Sequence, residues 1–287
     1  MILAIASGKG GTGKTTIATN LAVALASEGE TVTYADCDVE APNGHIFMKP
    51  NIRETVRVAM RAPVIDAEKC THCGECEKIC QFNAIVSIKD KILFFRELCH
   101  GCGGCALVCP TGAITETPRD MGVVEVGDAR GIGFIHGKLN VGEAVSPRVI
   151  AEIKRRLDPG RLTILDSPPG TACPAIEAMK ETNHVLLVAE PTPFGLNDLE
   201  IAYEVVQVLD IPCSLAINQS NIGDGRVKEF AQSNGIPVIL EISHDRRIAE
   251  CYSRGDLVVE ALPEYKDVFL ATFDRIAGAE PCQKKLS

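Results

Sequence analysis

No stretch of this 287-residue chain stays apolar long enough to cross a membrane, which takes about 20 residues. Positive charge is also scarce. The 29 lysines and arginines face 38 aspartates and glutamates, and the formal net charge of -9 argues against a nucleic-acid surface. No secretory leader is expected either, because Met1-Ile2-Leu3 opens directly into an apolar strand pattern, so the expected location is the cytoplasm. What remains is the composition of a globular protein, 46% hydrophobic and 23% charged, with a mean hydropathy of +0.10. The length suits one sizeable α/β domain and a small insert. Thirteen cysteines without an export signal belong in a reducing compartment, where thiolates bind metal in preference to pairing.

Eight of those cysteines form two copies of C-x2-C-x2-C-x3-C. The first runs CTHCGECEKICQFNAI from Cys70 to Ile85, and the second CHGCGGCALVCPTGAI from Cys99 to Ile114. Three cysteines spaced by two residues let a tight loop wrap three irons of a cuboidal 4Fe-4S cluster, and the fourth thiolate must come from elsewhere. In the bacterial ferredoxin pattern the last cysteine of each run ligates the other cluster. The expected sets are therefore Cys70, Cys73, Cys76 and Cys109 for one cluster, and Cys80, Cys99, Cys102 and Cys105 for the other. Pro110 follows the second run as that pattern asks, whereas the first has Gln81. Zinc sites use two cysteine pairs across a longer spacer and have no need of a third cysteine at the next interval.

The second strong signal lies at the start. The apolar run Ile2 to Ala6 reads as a buried strand and passes into Ser7-Gly8-Lys9-Gly10-Gly11-Thr12-Gly13-Lys14-Thr15-Thr16, a complete G-x4-G-K-[ST] loop with a helix expected from Thr16 to about Ala26. Backbone amides of such a loop cradle phosphates, Lys14 meets the terminal ones, and the Thr15 hydroxyl ligates magnesium. Further along, the strand Thr31 to Ala35 ends in Asp36-Cys37-Asp38-Val39-Glu40-Ala41-Pro42-Asn43. Leu162 to Leu165 likewise ends in Asp166-Ser167-Pro168-Pro169-Gly170. Acids at the carboxyl ends of parallel strands stand where such sheets bind ligands.

The segment K-G-G-T-G-K-T from Lys9 to Thr15 resembles the deviant Walker A loop of the MinD, ParA, Mrp and nitrogenase iron protein superfamily, the SIMIBI-class P-loop ATPases. That resemblance implies that Lys9 acts across an ATP-sandwich homodimer. It also implies that Asp38 orients or activates the attacking water, that Asp36 supports magnesium through water, that Asp166 holds the magnesium shell and that the Gly170 amide senses the γ-phosphate. Guanine-specific relatives carry N-K-x-D after a late strand. Here Cys213 to Ile217 leads into Asn218-Gln219-Ser220-Asn221 without the acid, which favours ATP with Asn218 as the adenine contact.

The expected organisation is a doubly wound, mostly parallel α/β P-loop domain from residues 1–59 and 119–287, interrupted at 60–118 by a ferredoxin-like α+β insert. Lys49-Pro50-Asn51, Arg61-Ala62-Pro63 and Thr117-Pro118-Arg119-Asp120 read as linkers. Short strands are expected at Val123 to Val126 and Gly133 to His136, and a helix at Pro147 to Leu157. A final helix from Glu264 to Ala277 carries an apolar stripe at Tyr265, Val268, Phe269, Ala271 and Phe273. The MinD branch uses such a helix on membranes, but this one is not basic and should cover the sheet, and Lys284-Lys285 would anchor weakly.

Of the other cysteines, Cys37, Cys213, Cys251 and Cys282 suit packing or a loose tail. Cys173 stands seven residues past Asp166, where the nitrogenase iron protein places a ligand of its dimer-bridging cluster. That resemblance implies that Cys173 faces a dimer-interface metal or redox site, although the segment Gly127 to Asn140 lacks the second cysteine that the nitrogenase iron protein uses. The reading is a magnesium-dependent ATPase that couples ATP-driven dimerisation to two 4Fe-4S clusters. It would serve electron delivery or cluster assembly, with a redox or cluster-accepting protein or a related ATPase paralogue as partner. The alternative is an ATP-dependent positioning protein with structural or redox-sensing clusters.

Overall fold

Leu3 and Ile5 enter one core while Ala4 and Ala6 enter another, so β1 (Ile2–Ala6) is buried on both faces by simple alternation. The structure, a computed structural model, describes residues 1–278, so Cys282, Lys284 and Lys285 lie outside the described residues. After the glycine-rich loop come α1 (Lys14–Ser27), β2 (Val32–Asp36) and the short α2 (Gly44–Met48). The helix begins two residues before the expected start because Lys14 and Thr15 already form its first turn.

Next is β3 (Asn51–Ile65), a strand of 15 residues. The cysteine-rich stretch that follows holds α3 (Glu75–Ile79), the hairpin β4 (Ile85–Ile88) and β5 (Lys91–Phe94), and α4 (Gly104–Leu107). The chain returns along β6 (Ile114–Ala129), antiparallel to β3, with Ile65 opposite Ile114. The residues expected as linkers are thus strand. Arg61 pairs with Pro118, and Ala62 with Thr117. Proline is tolerated because β3 is the sheet edge, and at Pro118 β6 pairs with β3 while its pairing to β7 begins only at Gly122. The stretch 66–113 packs a small separate core of Cys76 and Ile85 against Ile114 and Ile65 at the strand ends, with Ile92 and Phe94 beside it.

Beyond β7 (Ile132–Leu139), strands and helices alternate: α5 (Pro147–Arg155), β8 (Leu162–Asp166), α6 (Cys173–Met179), β9 (His184–Ala189), α7 (Pro193–Val208), β10 (Cys213–Asn218), α8 (Arg226–Ser233) and β11 (Val238–Ile242). The chain then runs through α9 (Arg246–Arg254), α10 (Val258–Ala261) and α11 (Glu264–Ala277). Strands 6 and 7 are longer than the sequence suggested, because they form a hairpin turned at Arg130-Gly131. The sheet order is β11-β10-β9-β1-β8-β2-β7-β6-β3, parallel from β11 to β7 and antiparallel at β6 and β3. Helices α5, α6, α7 and α8 cover one face, and α1, α2, α10 and α11 the other. On α11 the buried face is Phe269, Thr272 and Ile276, with Tyr265 and Phe273 beside it. Val268 and Ala271, expected in the apolar stripe, are exposed.

Candidate functional site

The carboxyl ends of β1, β2, β8 and β10 converge on one cleft of about 400 Å³. Its floor is Gly10, Gly11, Gly13, Lys14, Thr15 and Thr16; Asp38, Asn43, Ser167 and Pro169 form one side, and Asn218 and Gln219 the other. Gly8 lies outside the lining, and a Cβ there would sit 2.0 Å from the Asp198 carbonyl oxygen, so glycine lets the loop pass against α7. Lys14 Nζ donates to Ser7 Oγ at 2.8 Å and to the Lys9 carbonyl at 3.3 Å. Burial lowers its pKa, while Asp166 and Asp38 pull it back up. The loop is braced from β10, since Asn218 Nδ2 donates to the Thr12 carbonyl at 2.9 Å and Asn218 Oδ1 accepts from the Gln219 amide at 3.0 Å.

The acids divide by task. Asp166 is buried, its Oδ2 accepts from the Tyr34 hydroxyl at 3.0 Å, and its Oδ1 has no hydrogen-bond partner. Burial lifts its pKa to about 6 against the opposing pull of the Thr15 hydroxyl, the Lys14 ammonium and Tyr34. An unpaired, buried carboxylate oxygen beside a threonine hydroxyl and a phosphate-binding lysine is a donor set suited to a hard cation. Asp38 is half-buried and faces the cleft, and burial raises its pKa despite the amide of Ala41 and the charge of Lys14. Asp36 is engaged by backbone amides. Its Oδ1 accepts from the Asp38 amide at 3.0 Å and its Oδ2 from Gly44 and Asn43 at 2.9 and 3.2 Å, so it folds the 37–44 turn and does not line the cleft.

The eight thiols sort into two cavities in the insert. Cys70, Cys73, Cys76 and Cys109 line one, with Ile92 and Ile114; Cys80, Cys99, Cys102 and Cys105 line the other, with Phe82 and His100 stacked 3.7 Å apart at its wall. Amides point at several sulfurs, Ala84 to Cys80 at 3.3 Å and Gly101 to Cys99 at 3.4 Å. Burial raises Cys76, and it raises Cys105 to about 11. At Cys109 burial acts in the same direction but is outweighed by the Thr111 hydroxyl and by the amides of Ala113, Thr111 and Ile114, which lower it. Among the described residues, no three potential ligands stand as a set for a single ion.

Residues 3–258 match the family model described as the CobQ/CobB/MinD/ParA nucleotide binding domain. The chain belongs to the MinD/ParA family. An uncharacterised protein of Methanocaldococcus jannaschii is 31% identical over 271 residues, 93% of each chain. An iron-sulfur cluster carrier protein of Aquifex aeolicus is 24% identical over 278 residues, covering 92% of this chain and 63% of that one. The fold matches that of the septum site-determining protein MinD of Pyrococcus horikoshii, complexed with Mg-ADP, with a TM-score of 0.60 and 21% identity over 96% of this chain and 97% of that one.

Three residues singled out by the MinD/ParA resemblance are engaged within the chain. Lys9 Nζ pairs with Glu190 Oε2 at 3.1 Å, and the Gly170 amide donates to the Ser7 carbonyl at 3.0 Å. Asp36 holds the turn, as above. Cys173 is exposed at the first position of α6. The sequence reading missed Glu190, which also accepts from Gln219 Nε2 at 3.2 Å, and the far wall of Ser243, His244, Asp245, Ile248, Ala249 and Tyr252. Both groups follow the carboxyl ends of parallel strands, β9 and β11, so the rule that found Asp36 and Asp166 would have found them.

Proposed function

We propose that this MinD/ParA-family chain is a magnesium-dependent ATPase that couples ATP-driven pairing of two chains, and the movement of its switch segments, to iron-sulfur chemistry. The observation that carries the reading is the four-and-four sorting of the thiols in a chain whose P-loop cleft stands on the same sheet. A polynuclear cluster is larger than one ion, so its thiolates must ring a space, as each set of four does. When bound, 4Fe-4S clusters supply one-electron transfer at low potential, or serve as a cargo to hand on. The partner is a redox protein, a cluster acceptor or a related ATPase.

In this reading Lys14 takes the terminal phosphates in place of Ser7 and the Lys9 carbonyl. Thr15 and Asp166 Oδ1 would hold the magnesium. Asp38, its basicity strengthened by burial, receives a proton from the attacking water and fixes its direction. Asn218 keeps one N–H and one lone pair for the adenine after bracing the loop. Lys9 must exchange Glu190 for the phosphates of the second chain, and the Gly170 amide must leave the Ser7 carbonyl to meet the γ-phosphate. Those two exchanges are the switch movement, because each swaps an internal partner for one that only the triphosphate provides.

Anaerobic purification tests the reading directly. About eight irons and equivalent sulfide per chain are expected, along with ATP hydrolysis that Lys14→Ala and Asp38→Ala abolish. Zinc in their place, or turnover indifferent to both substitutions, overturns it.

A further inference from the structure

The two thiol sets differ in how they are tied to the rest of the molecule. In the second run Gly101 lies between Cys99 and Cys102, and its carbonyl and that of His100 accept from Arg148 Nη2 of α5 at 3.4 and 3.0 Å. The same loop is pressed against β3, where a Cβ on Gly101 would come within 2.3 Å of Met60 Cγ and 2.7 Å of the Arg61 carbonyl oxygen. A second tie enters one turn earlier. Buried Arg119 donates to the Arg96 carbonyl, at the start of the turn that leads into Cys99, and forms an ion pair with Glu143. In the first run, among the described residues, the hydrogen bonds and ion pairs of residues 67–79 stay inside the insert, and a Cβ on Gly74 would meet nothing within 4 Å.

The same end of α5 also rests on the nucleotide site. Ser146 occupies the N-cap position, where a serine hydroxyl ordinarily accepts from the helix, yet it makes no cap bond and donates to Glu40 Oε1 at 3.0 Å. Glu40 lies two residues beyond Asp38. Val39 between them packs with Val149 of α5 across Gly137, and its carbonyl accepts from the Leu139 amide at 2.8 Å. The segment that must respond to the triphosphate is therefore joined to the first turn of α5, and Arg148 in that turn holds the second cysteine loop.

We propose that nucleotide state is transmitted to the second thiol set alone, through Glu40, Ser146, the first turn of α5 and Arg148. The first set then has no direct control by ATP. Ser146 and Arg148 are positioning residues, and the inference rests on the coupling function proposed above.

Hydrogen exchange of the full-length, anaerobically reconstituted chain tests it, with and without magnesium and a non-hydrolysable ATP analogue. A coupling of ordinary size slows exchange at residues 99–103 about fivefold or more on adding the analogue, leaves 70–76 unchanged, and alters the reduced-state EPR signal of one cluster only. Arg148→Ala and Ser146→Ala should each remove both differences while iron content and analogue affinity persist. Arg155→Ala, which removes a charge from the same helix, should keep them. Equal protection of both loops, protection of 70–76 alone, or a response that survives Arg148→Ala and Ser146→Ala overturns the relay. Iron content and analogue affinity on the same samples judge the function separately. A chain that binds no iron defeats the coupling reading and leaves the exchange comparison to decide the relay.

Discussion

Asp166 sits within reach of a lysine yet holds its proton up to about pH 6, because the cost of burying its charge outweighs the help from Lys14 and Thr15. The sign of the consequence follows. The folded chain binds this proton more tightly than the unfolded one, so the contribution to stability is present below the ordinary carboxylate range and fades as pH rises through about 6. A hard cation needs the carboxylate. The affinity for magnesium-nucleotide should therefore fall as pH drops below 6, approaching about tenfold per unit. Titration calorimetry between pH 5 and 8 checks this, and Asp166→Asn should bind magnesium-nucleotide weakly and lose that slope. Tyr34→Phe removes the donor to Asp166 Oδ2 and leaves a buried acceptor unmade, so urea unfolding should show a loss of about 1–3 kcal/mol.

At the scale of elements, two glycines separate crowding from backbone strain. In Gly101→Ala the new methyl meets Met60 and the Arg61 carbonyl, and the loop carrying Cys99 and Cys102 must shift. Iron should drop towards about four per chain, with loss at the second set. Gly74→Ala also faces a positive φ, of 77°, but finds open space, so it costs about 1 kcal/mol and should retain its iron. What the sequence revealed follows the same division. The phosphate loop was legible from its spacing, and the strand ends carrying Asp38 and Asp166 from local pattern; the cysteine spacing anticipated the four-and-four grouping, whose role as cluster ligands is the proposal made above. The length of β3 and β6 was hidden, since Pro63 and Pro118 look like breaks unless the strand is known to lie at an edge. The partners of Lys9, Gly170 and Asp36 were hidden for another reason. Lys9 and Gly170 meet residues far away in the chain, and Asp36 accepts from the amides of its own turn, whose path depends on the fold; no spacing rule reports either.

For the whole molecule, the two cores on either face of the nine-stranded sheet are separate from the small one around Cys76 and Ile85. Replacing residues 66–113 with a two-residue Asn-Gly turn should close the β3–β6 hairpin, because Ile65 already faces Ile114. Circular dichroism and nucleotide binding should show a folded, iron-free chain; failure to fold would mean that Arg119 and the cysteine loops are needed to build the sheet edge. The adjacency of those two isoleucines also has a bearing on ancestry. A gene for the plain nucleotide-binding sheet could acquire the cysteine cassette, or shed it, in a single recombination event at one hairpin tip, with no strand re-threaded.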